Sequence, residues 1–296
     1  MLDPTAVRDL LAGGSLPPAP RLELPGRRTF ELARRRRLVA VVNLSADSPY
    51  PESVAESPSA ARRLAVTARD AGADFVEFGL ESTAPGARTR DAGAQLDLLL
   101  PALEQCLDLG VEIMVETRHP AVVETAMRLG VRMVNLVGYA HRELAFDTVA
   151  RYDGAVVLPY LPGGTPALGK YTLRAGDTAV PDRLDFLRSR LGEAEAAGVT
   201  RCVVDPAIGF AFELDDGTGR ASYQMSQYLQ LHRLGALGVP VLATLVHAPG
   251  VFAGAYRRLA EPIMAVLAMI GGGQLLRTHE VGAVETVRRL LDSFEP

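Results

Sequence analysis

The sequence predicts an α/β fold, a (β/α)8 TIM barrel with a short N-terminal extension. Three observations carry this expectation. Short apolar runs recur along the chain, each bounded by Gly or Pro, as strands buried on both faces do. Stretches whose apolar residues fall at three- and four-residue spacing separate them, so strand and helix alternate. The runs also end abruptly in polar residues, which would gather chemistry on one rim, at the carboxyl ends of the strands.

In chain order, residues 1–30 form the extension and 31–296 the barrel. Asp3 with Pro4 behind it can cap a short helix through Leu11, and a loop rich in Gly and Pro follows. The basic run Arg34, Arg35, Arg36 and Arg37 reads as a solvated lead-in to the first strand, with a phosphate or partner contact as the other reading. Strands are expected at 38–43, 74–79, 111–116, 132–136, 155–159, 201–205, 240–245 and 274–277. Helix-like stretches between them include SPSAARRLAVTARDAG, AQLDLLLPALEQCLDLG, PAVVETAMRLG and DRLDFLRSRLGEAEAAG, several closing on a C-terminal Gly. Long loops at 45–57, 159–180 and 209–222 follow strand ends and would lie on the rim as lids or binding loops. No G-x-G-x-x-G follows the first strand, which disfavours a dinucleotide fold.

The bulk properties agree. A chain of 296 residues exceeds the roughly 250 of an eightfold barrel, and a hydrophobic content of 48% supplies the core. A formal net charge of −4 gives no basic excess for nucleic acid. No apolar run reaches the roughly 20 residues of a membrane span, and the N-terminus lacks a charged-then-apolar signal. The expectation is a cytoplasmic protein with no membrane or nucleic-acid partner. The stretch 262–270 reads as a core helix, and Cys106 and Cys202 as buried free thiols.

Five segments then point further. They are NLSADSPYP from Asn43, EFGLESTAPG from Glu77, VETRHPAVVETAMRLGVRMVNL, DPAIGF from Asp205, and RTHEV from Arg277. In this order they resemble the N-V-T-P-D-S-F-S-D, D-x-G-x-E-S-T-R-P-G, V-D-T…N-D, D-P-G-I-G-F and R-V-H-D-V signatures of the dihydropteroate synthase family, the pterin-binding barrels. The likeness spans about 38–294, and each match falls at an expected strand end.

The resemblance implies a transferase in which a pterin bearing a methyl diphosphate loses diphosphate to an attacking aryl amine. It implies roles for particular residues. Arg277 and His279 would receive the diphosphate, Arg277 through its planar fork, with hydroxyls from Ser82 and Thr83. A neighbouring carboxylate such as Glu280 could instead satisfy the Arg277 and His279 pair. Asn43 matches the Asn that contacts a magnesium ion bridging the diphosphate, and a neutral carbonyl oxygen suits that hard cation. Asp205, Asn135 and Glu116 would read the ring edge. Phe210, in the same DPAIGF motif, is a further substrate-binding candidate. Glu116 stands where the family has Asp, and its extra methylene moves the carboxylate outward by more than about 1 Å, against a tolerance of about 0.5 Å. The resemblance also implies a homodimer through barrel helices.

The seventh run departs most. Where the family has S-R-K, with the Lys reaching the pterin, this chain has Val246, His247 and Ala248. His247 could act as donor or general base, or be a plain loop histidine. Pro49, Tyr50 and Pro51 replace the family's Phe and later Asp, and Ala84 replaces an Arg. The expected function is therefore a synthase-like transferase. It would join a pterin-like or other heteroaromatic methylene carrying a diphosphate to an amine or other nucleophile, with altered specificity. Alternatives are a catalytically silent pterin- or folate-binding protein and a methyl-folate-dependent methyltransferase, which would have no diphosphate for Arg277 and His279 to bind.

Overall fold

The computed structural model describes residues 21–293 apart from 25, 27, 49, 83–87, 165–170, 173–179, 209–211, 214–216, 246–251 and 253. The barrel strands are β1 (Arg37–Asn43), β2 (Phe75–Gly79), β3 (Glu112–Thr117), β4 (Met133–Leu136), β5 (Ala155–Pro159), β6 (Cys202–Asp205), β7 (Leu242–Thr244) and β8 (Leu275–Thr278). All pair in parallel in the order β7-β8-β1-β2-β3-β4-β5-β6. A parallel bridge between Val204 and Val241 brings the two ends of that sheet together. The expected (β/α)8 barrel therefore forms, with β7 shorter than expected at both ends.

The helices are α1 (Pro58–Asp70), α2 (Ala92–Cys106), α3 (Pro120–Arg128), α4 (Arg142–Arg151), α5 (Val180–Ala196), α6 (Gly217–Leu229), α7 (Ala260–Ile270) and α8 (Val281–Asp292). Local chemistry sets several starts. Ser57 accepts the Ala60 N–H with Pro58 in the first turn of α1, and Asp91 accepts the Ala94 N–H at the start of α2. Each cap satisfies an otherwise orphaned donor and is worth about 1 kcal/mol. The expected loop at 209–222 is shorter than the sequence suggests, because α6 begins at Gly217. Glycines in its first turn have low helix propensity and hide the helix from a pattern reading. Tyr171–Thr172 pairs in parallel with Phe212–Glu213, tying the second and third long loops together.

Side chains at alternate positions of each strand point into the barrel. The lower interior is apolar: Val39, Phe75, Met114, Met133, Ala155, Val157, Val203, Leu242 and Leu275 form one buried cluster. It is closed from below by Leu22, Leu24, Phe30 and Leu32. These belong to an antiparallel hairpin, Arg21–Glu23 with Thr29–Glu31, where the sequence pattern suggests only a loop. The boundary placed at residue 30 runs through this hairpin. Its signal is present as the alternation R-L-E-L and T-F-E-L around Gly26, whose φ of 68° suits a tight turn. Residues 1–20, with the expected helix from Asp3, lie outside the described residues. The basic run leads into β1, so it lies at the end opposite the rim, where Arg37 pairs with Asp74 at 3.1 Å.

Cys106 and Cys202 are buried free thiols, as expected, and burial pushes them up to about 11 and about 12. Among the described residues no helix is long and apolar enough to cross a membrane. Two helices approach closely at Gly271, which follows α7. A Cβ there would meet the Tyr228 carbonyl oxygen at 1.8 Å and the Leu229 Cα at 2.8 Å. Gly271→Ala must therefore push α6 from α7. The expected loss is about 1–3 kcal/mol, read as a lowered urea midpoint with unchanged slope; an unchanged midpoint would contradict this packing.

Candidate active site

The same alternation that builds the apolar interior places the polar rim. Asn43, Glu77, Glu116, Asn135, Asp205, Thr244 and Arg277 share their strands' inward parity with Val39, Phe75, Met114, Met133, Val203, Leu242 and Leu275. All seven polar residues are buried. Strand register sets Asn43 beside Gly79, Gly79 beside Glu116, and Glu116 beside Asn135. Gly79 leaves room in this row, because a Cβ there would lie 2.8 Å from Asn43 Oδ1.

Arg277 is the centre of the cluster. Its Nε donates to Glu77 Oε2 at 2.5 Å and its Nη2 to Glu116 Oε2 at 2.7 Å. Asn135 Nδ2 donates to Glu77 Oε1 at 3.1 Å and to Glu116 Oε2 at 3.4 Å. The Asn135 amide is thus pinned by its nitrogen, and its buried Oδ1 has no hydrogen-bond partner among the described residues. Asp205 lies alongside. Its Oδ1 accepts the Ala207 N–H at 2.7 Å and its Oδ2 the Thr244 hydroxyl at 2.8 Å. Ala207 reaches that contact with φ of 52°, a left-handed conformation that costs a residue with a Cβ about 1–2 kcal/mol. It stands at the Gly position of the D-P-G-I-G-F signature.

The electrostatics follow from burying several acids around one cation. Burial pushes Glu116 up to about 7; Arg277 opposes the rise, while Glu77 and Asp205 add to it. Burial likewise raises Asp205 to about 6, against the Ala207 N–H, the Thr244 hydroxyl and Arg277. Burial also disfavours the charge on Arg277, but Glu77 and Glu116 outweigh it and hold the guanidinium above its ordinary value. Both raised carboxyls bind protons more tightly folded than unfolded. Their contribution to stability is complete below the ordinary carboxyl range and is lost as pH rises through about 6 and 7.

Asn43, at the end of β1, and His279, just past the end of β8, stand on adjacent strands beside this cluster. Asn43 Nδ2 donates to Ser53 Oγ at 2.7 Å, and that hydroxyl donates to the Tyr50 carbonyl at 2.8 Å. β8 ends at Thr278, so His279 does not continue the alternation that begins at Arg277. Its Nδ1 lies 2.9 Å from Glu261 Oε1, and its ring stacks on Tyr50 at 3.7 Å and 10°. Glu280 does not satisfy the Arg277 and His279 pair; Arg258 holds it with bonds of 2.7 and 2.9 Å. Ser82 is partly buried beside the end of β2. Glu81, in the same motif, pairs with Arg118 at 2.8 Å and accepts the Arg90 N–H at 2.9 Å. Thr83, Phe210 and His247 lie outside the described residues.

The structure thus unites Glu116, Asn135, Asp205 and Arg277. The family resemblance implies an anion role for Arg277, with Asn43, Thr83 and His279. Burial explains the difference, since a guanidinium pointing into the barrel beside two acids is drawn to them before any ligand arrives. Glu77, Thr244 and Glu261 were missed. Glu77 had a signal, as an acid inside the apolar run FVEFG, and Thr244 had the inward parity of Leu242. Glu261 had none, because its partners belong to the next strand end. Among the described residues no three His, Cys, Asp or Glu side chains converge as a metal cluster.

Fold and rim together define a class: a barrel enzyme whose mouth is a buried floor of acids, amides and one arginine. The family model described as pterin binding enzyme matches residues 39–279. The dihydropteroate synthase of Synechocystis sp. is 26% identical over 283 residues, covering 91% of this chain and 93% of that protein. The dihydropteroate synthase of Thermus thermophilus in complex with 4-aminobenzoate is similar at 29% identity and a TM-score of 0.77, over 93% of this chain and all of that one. The same enzyme in complex with 6HMPPP gives 28% and 0.73 over the same share of this chain. The chain belongs to the pterin binding enzyme family. It is a pterin-binding transferase resembling dihydropteroate synthase.

Removing Arg277 tests the floor directly. Arg277→Met leaves Glu77 and Glu116 facing each other without a cation, and the expected loss is about 3–5 kcal/mol. Glu77→Gln added to Arg277→Met restores part of it. A single variant as stable as the parent in denaturant unfolding would contradict the pairing.

Proposed function

We propose that the chain transfers a ring-bearing methylene group from a diphosphate to an amine or other nucleophile, on a heteroaromatic ring of pterin type. In this reaction the bond from methylene carbon to diphosphate oxygen breaks with its electron pair leaving on oxygen. A bond from carbon to the nucleophile forms, and an amine gives up one proton.

One observation carries the ring assignment. The buried Oδ1 of Asn135, unpartnered among the described residues, shares a floor with two carboxylates. An unmet buried acceptor costs about 1–3 kcal/mol, and the N–H-rich edge of an amino-pyrimidine ring would satisfy it. Glu116 and Asp205 add acceptors for the same edge once ionised. Arg277 holds Glu116 by one oxygen, so the longer acid is fixed in place.

The anion subsite rests on Arg277, His279, Ser82, Thr83 and Asn43. The family's magnesium ion fits Asn43 by donor chemistry, since Oδ1 is the amide atom outside the Ser53 bond. When bound, such an ion supplies charge neutralisation to the diphosphate. The change of acceptor rests on the seventh strand end, where Val246, His247 and Ala248 stand in place of S-R-K, whose Ser and Arg help shape the amine side in the family. The relatives solved with 4-aminobenzoate and 6HMPPP supply the substrate class. Para-aminobenzoate is therefore expected to be a poor acceptor here.

Calorimetry on the full chain tests this reading. 6-Hydroxymethylpterin is expected to bind, and more tightly as pH rises from about 5.5 to 7.5, because a protonated carboxyl presents a donor to the ring's donors. Asp205→Asn should weaken it by roughly tenfold or more. Inorganic pyrophosphate with magnesium should bind the parent and not Arg277→Ala. Binding of neither ligand would overturn the site assignment.

A further inference from the structure

Glu261 is fully buried in the first turn of α7 and takes no part in the floor. Its Oε2 accepts the His279 N–H at 2.7 Å, the Glu280 N–H at 3.2 Å and the Thr278 hydroxyl. Its Oε1 faces His279 Nδ1 at 2.9 Å. Three donors already converge on this carboxylate, so it is built as an acceptor. A bare Nδ1 at that distance would set one lone pair against another; Nδ1 must carry the proton. The Tyr50 ring, stacked on the imidazole, fixes the plane as the carboxylate fixes the rotation. In the neutral ring Nε2 is then the acceptor nitrogen.

We propose that Glu261 is a positioning residue for His279. It holds the imidazole in the Nδ1–H form and directs Nε2 to the oxygen of the departing diphosphate. This deepens, and rests on, the transferase reading above. As the carbon–oxygen bond breaks, charge gathers on that oxygen. Once Nε2 takes up a proton from solvent as the anion binds, the imidazolium Nε2–H donates a hydrogen bond to that oxygen, and the Glu261 carboxylate balances the charge on the ring. The arrangement matters more because Arg277 already commits Nε and Nη2 to Glu77 and Glu116. The anion subsite then leans on His279. Glu261 also fastens the start of α7 to the end of β8, so helix, strand end and the Tyr50 loop share one anchor.

Two measurements on the full chain test this. The imidazole nitrogen-15 resonances are recorded above the ring's titration and assigned with His279→Ala. The expected form is Nδ1 protonated and Nε2 unprotonated; the opposite tautomer overturns the proposal without any variant having to fold. Titration with inorganic pyrophosphate and magnesium then compares His279→Ala and Glu261→Gln with the parent. Both are expected to weaken binding by roughly tenfold, with 6-hydroxymethylpterin binding unchanged. If His279→Ala binds pyrophosphate as the parent does, His279 is no part of the anion subsite and the proposal falls, whereas loss of binding in Arg277→Ala would still uphold the transferase reading. If only Glu261→Gln binds as the parent does, the subsite stands and the positioning role falls.

Discussion

The barrel mouth depends on one guanidinium shared between two buried carboxylates. Glu77 and Glu116 approach Arg277 at 2.5 and 2.7 Å with almost no solvent around them. Two acids against one cation leave the cluster short of positive charge, and Asp205 stands nearby. Taking these groups out of water costs several kcal/mol per ion, which attraction repays only with good geometry and satisfied lone pairs. Asn135 supplies part of that satisfaction, donating to both acids. Burial, reinforced by Glu77 and Asp205, raises Glu116 to about 7, so protonation supplies another part. The remaining shortfall includes the Asn135 Oδ1, an acceptor without a partner among the described residues, which the proposed ring edge, rich in N–H donors, would complete.

Geometry limits where such a cluster can form. Inward positions of β1 to β8 are filled by apolar side chains up to a fixed height, and the hairpin at 21–31 seals them from below. One or two steps further along seven of the eight strands the inward residue becomes polar; β5, which ends at Pro159, is the exception. Strand periodicity is two, so a one-residue register shift in any strand would turn that strand's rim group outward. Gly79 belongs to the same design. It leaves the Asn43 amide room within a crowded row.

Much of this was legible in the sequence. The eight strands were, because a run such as RLVAVVN or FVEFG is mostly apolar and ends sharply. Asn43, Glu116, Asn135, Asp205 and Arg277 were, because each closes or nearly closes such a run. Pairing was not legible. Arg277 meets Glu77 across a separation of 200 residues, and only closure of the barrel brings them together. Glu261 was hidden because it sits at a helix start and acts on a strand end. The N-terminal hairpin was overlooked although its alternation is clear, since Gly and Pro in its turn made the segment read as a loop. The start of α6 was obscured in the same way by its glycines. Both segments share one cause: their Gly or Pro content favours a loop locally, while burial against the rest of the chain decides the structure.

Everything at the barrel mouth turns on the ionisation of Glu116 against Arg277. Carbon-13 NMR of carboxyl-labelled glutamate, with Glu116→Gln for assignment, measures it directly. One buried glutamate is expected to titrate near pH 7. Binding of 6-hydroxymethylpterin should move that midpoint downward, because ring N–H donors favour the carboxylate. A Glu116 that titrates in the ordinary carboxyl range, or whose midpoint ignores the bound ring, would contradict this picture of the floor.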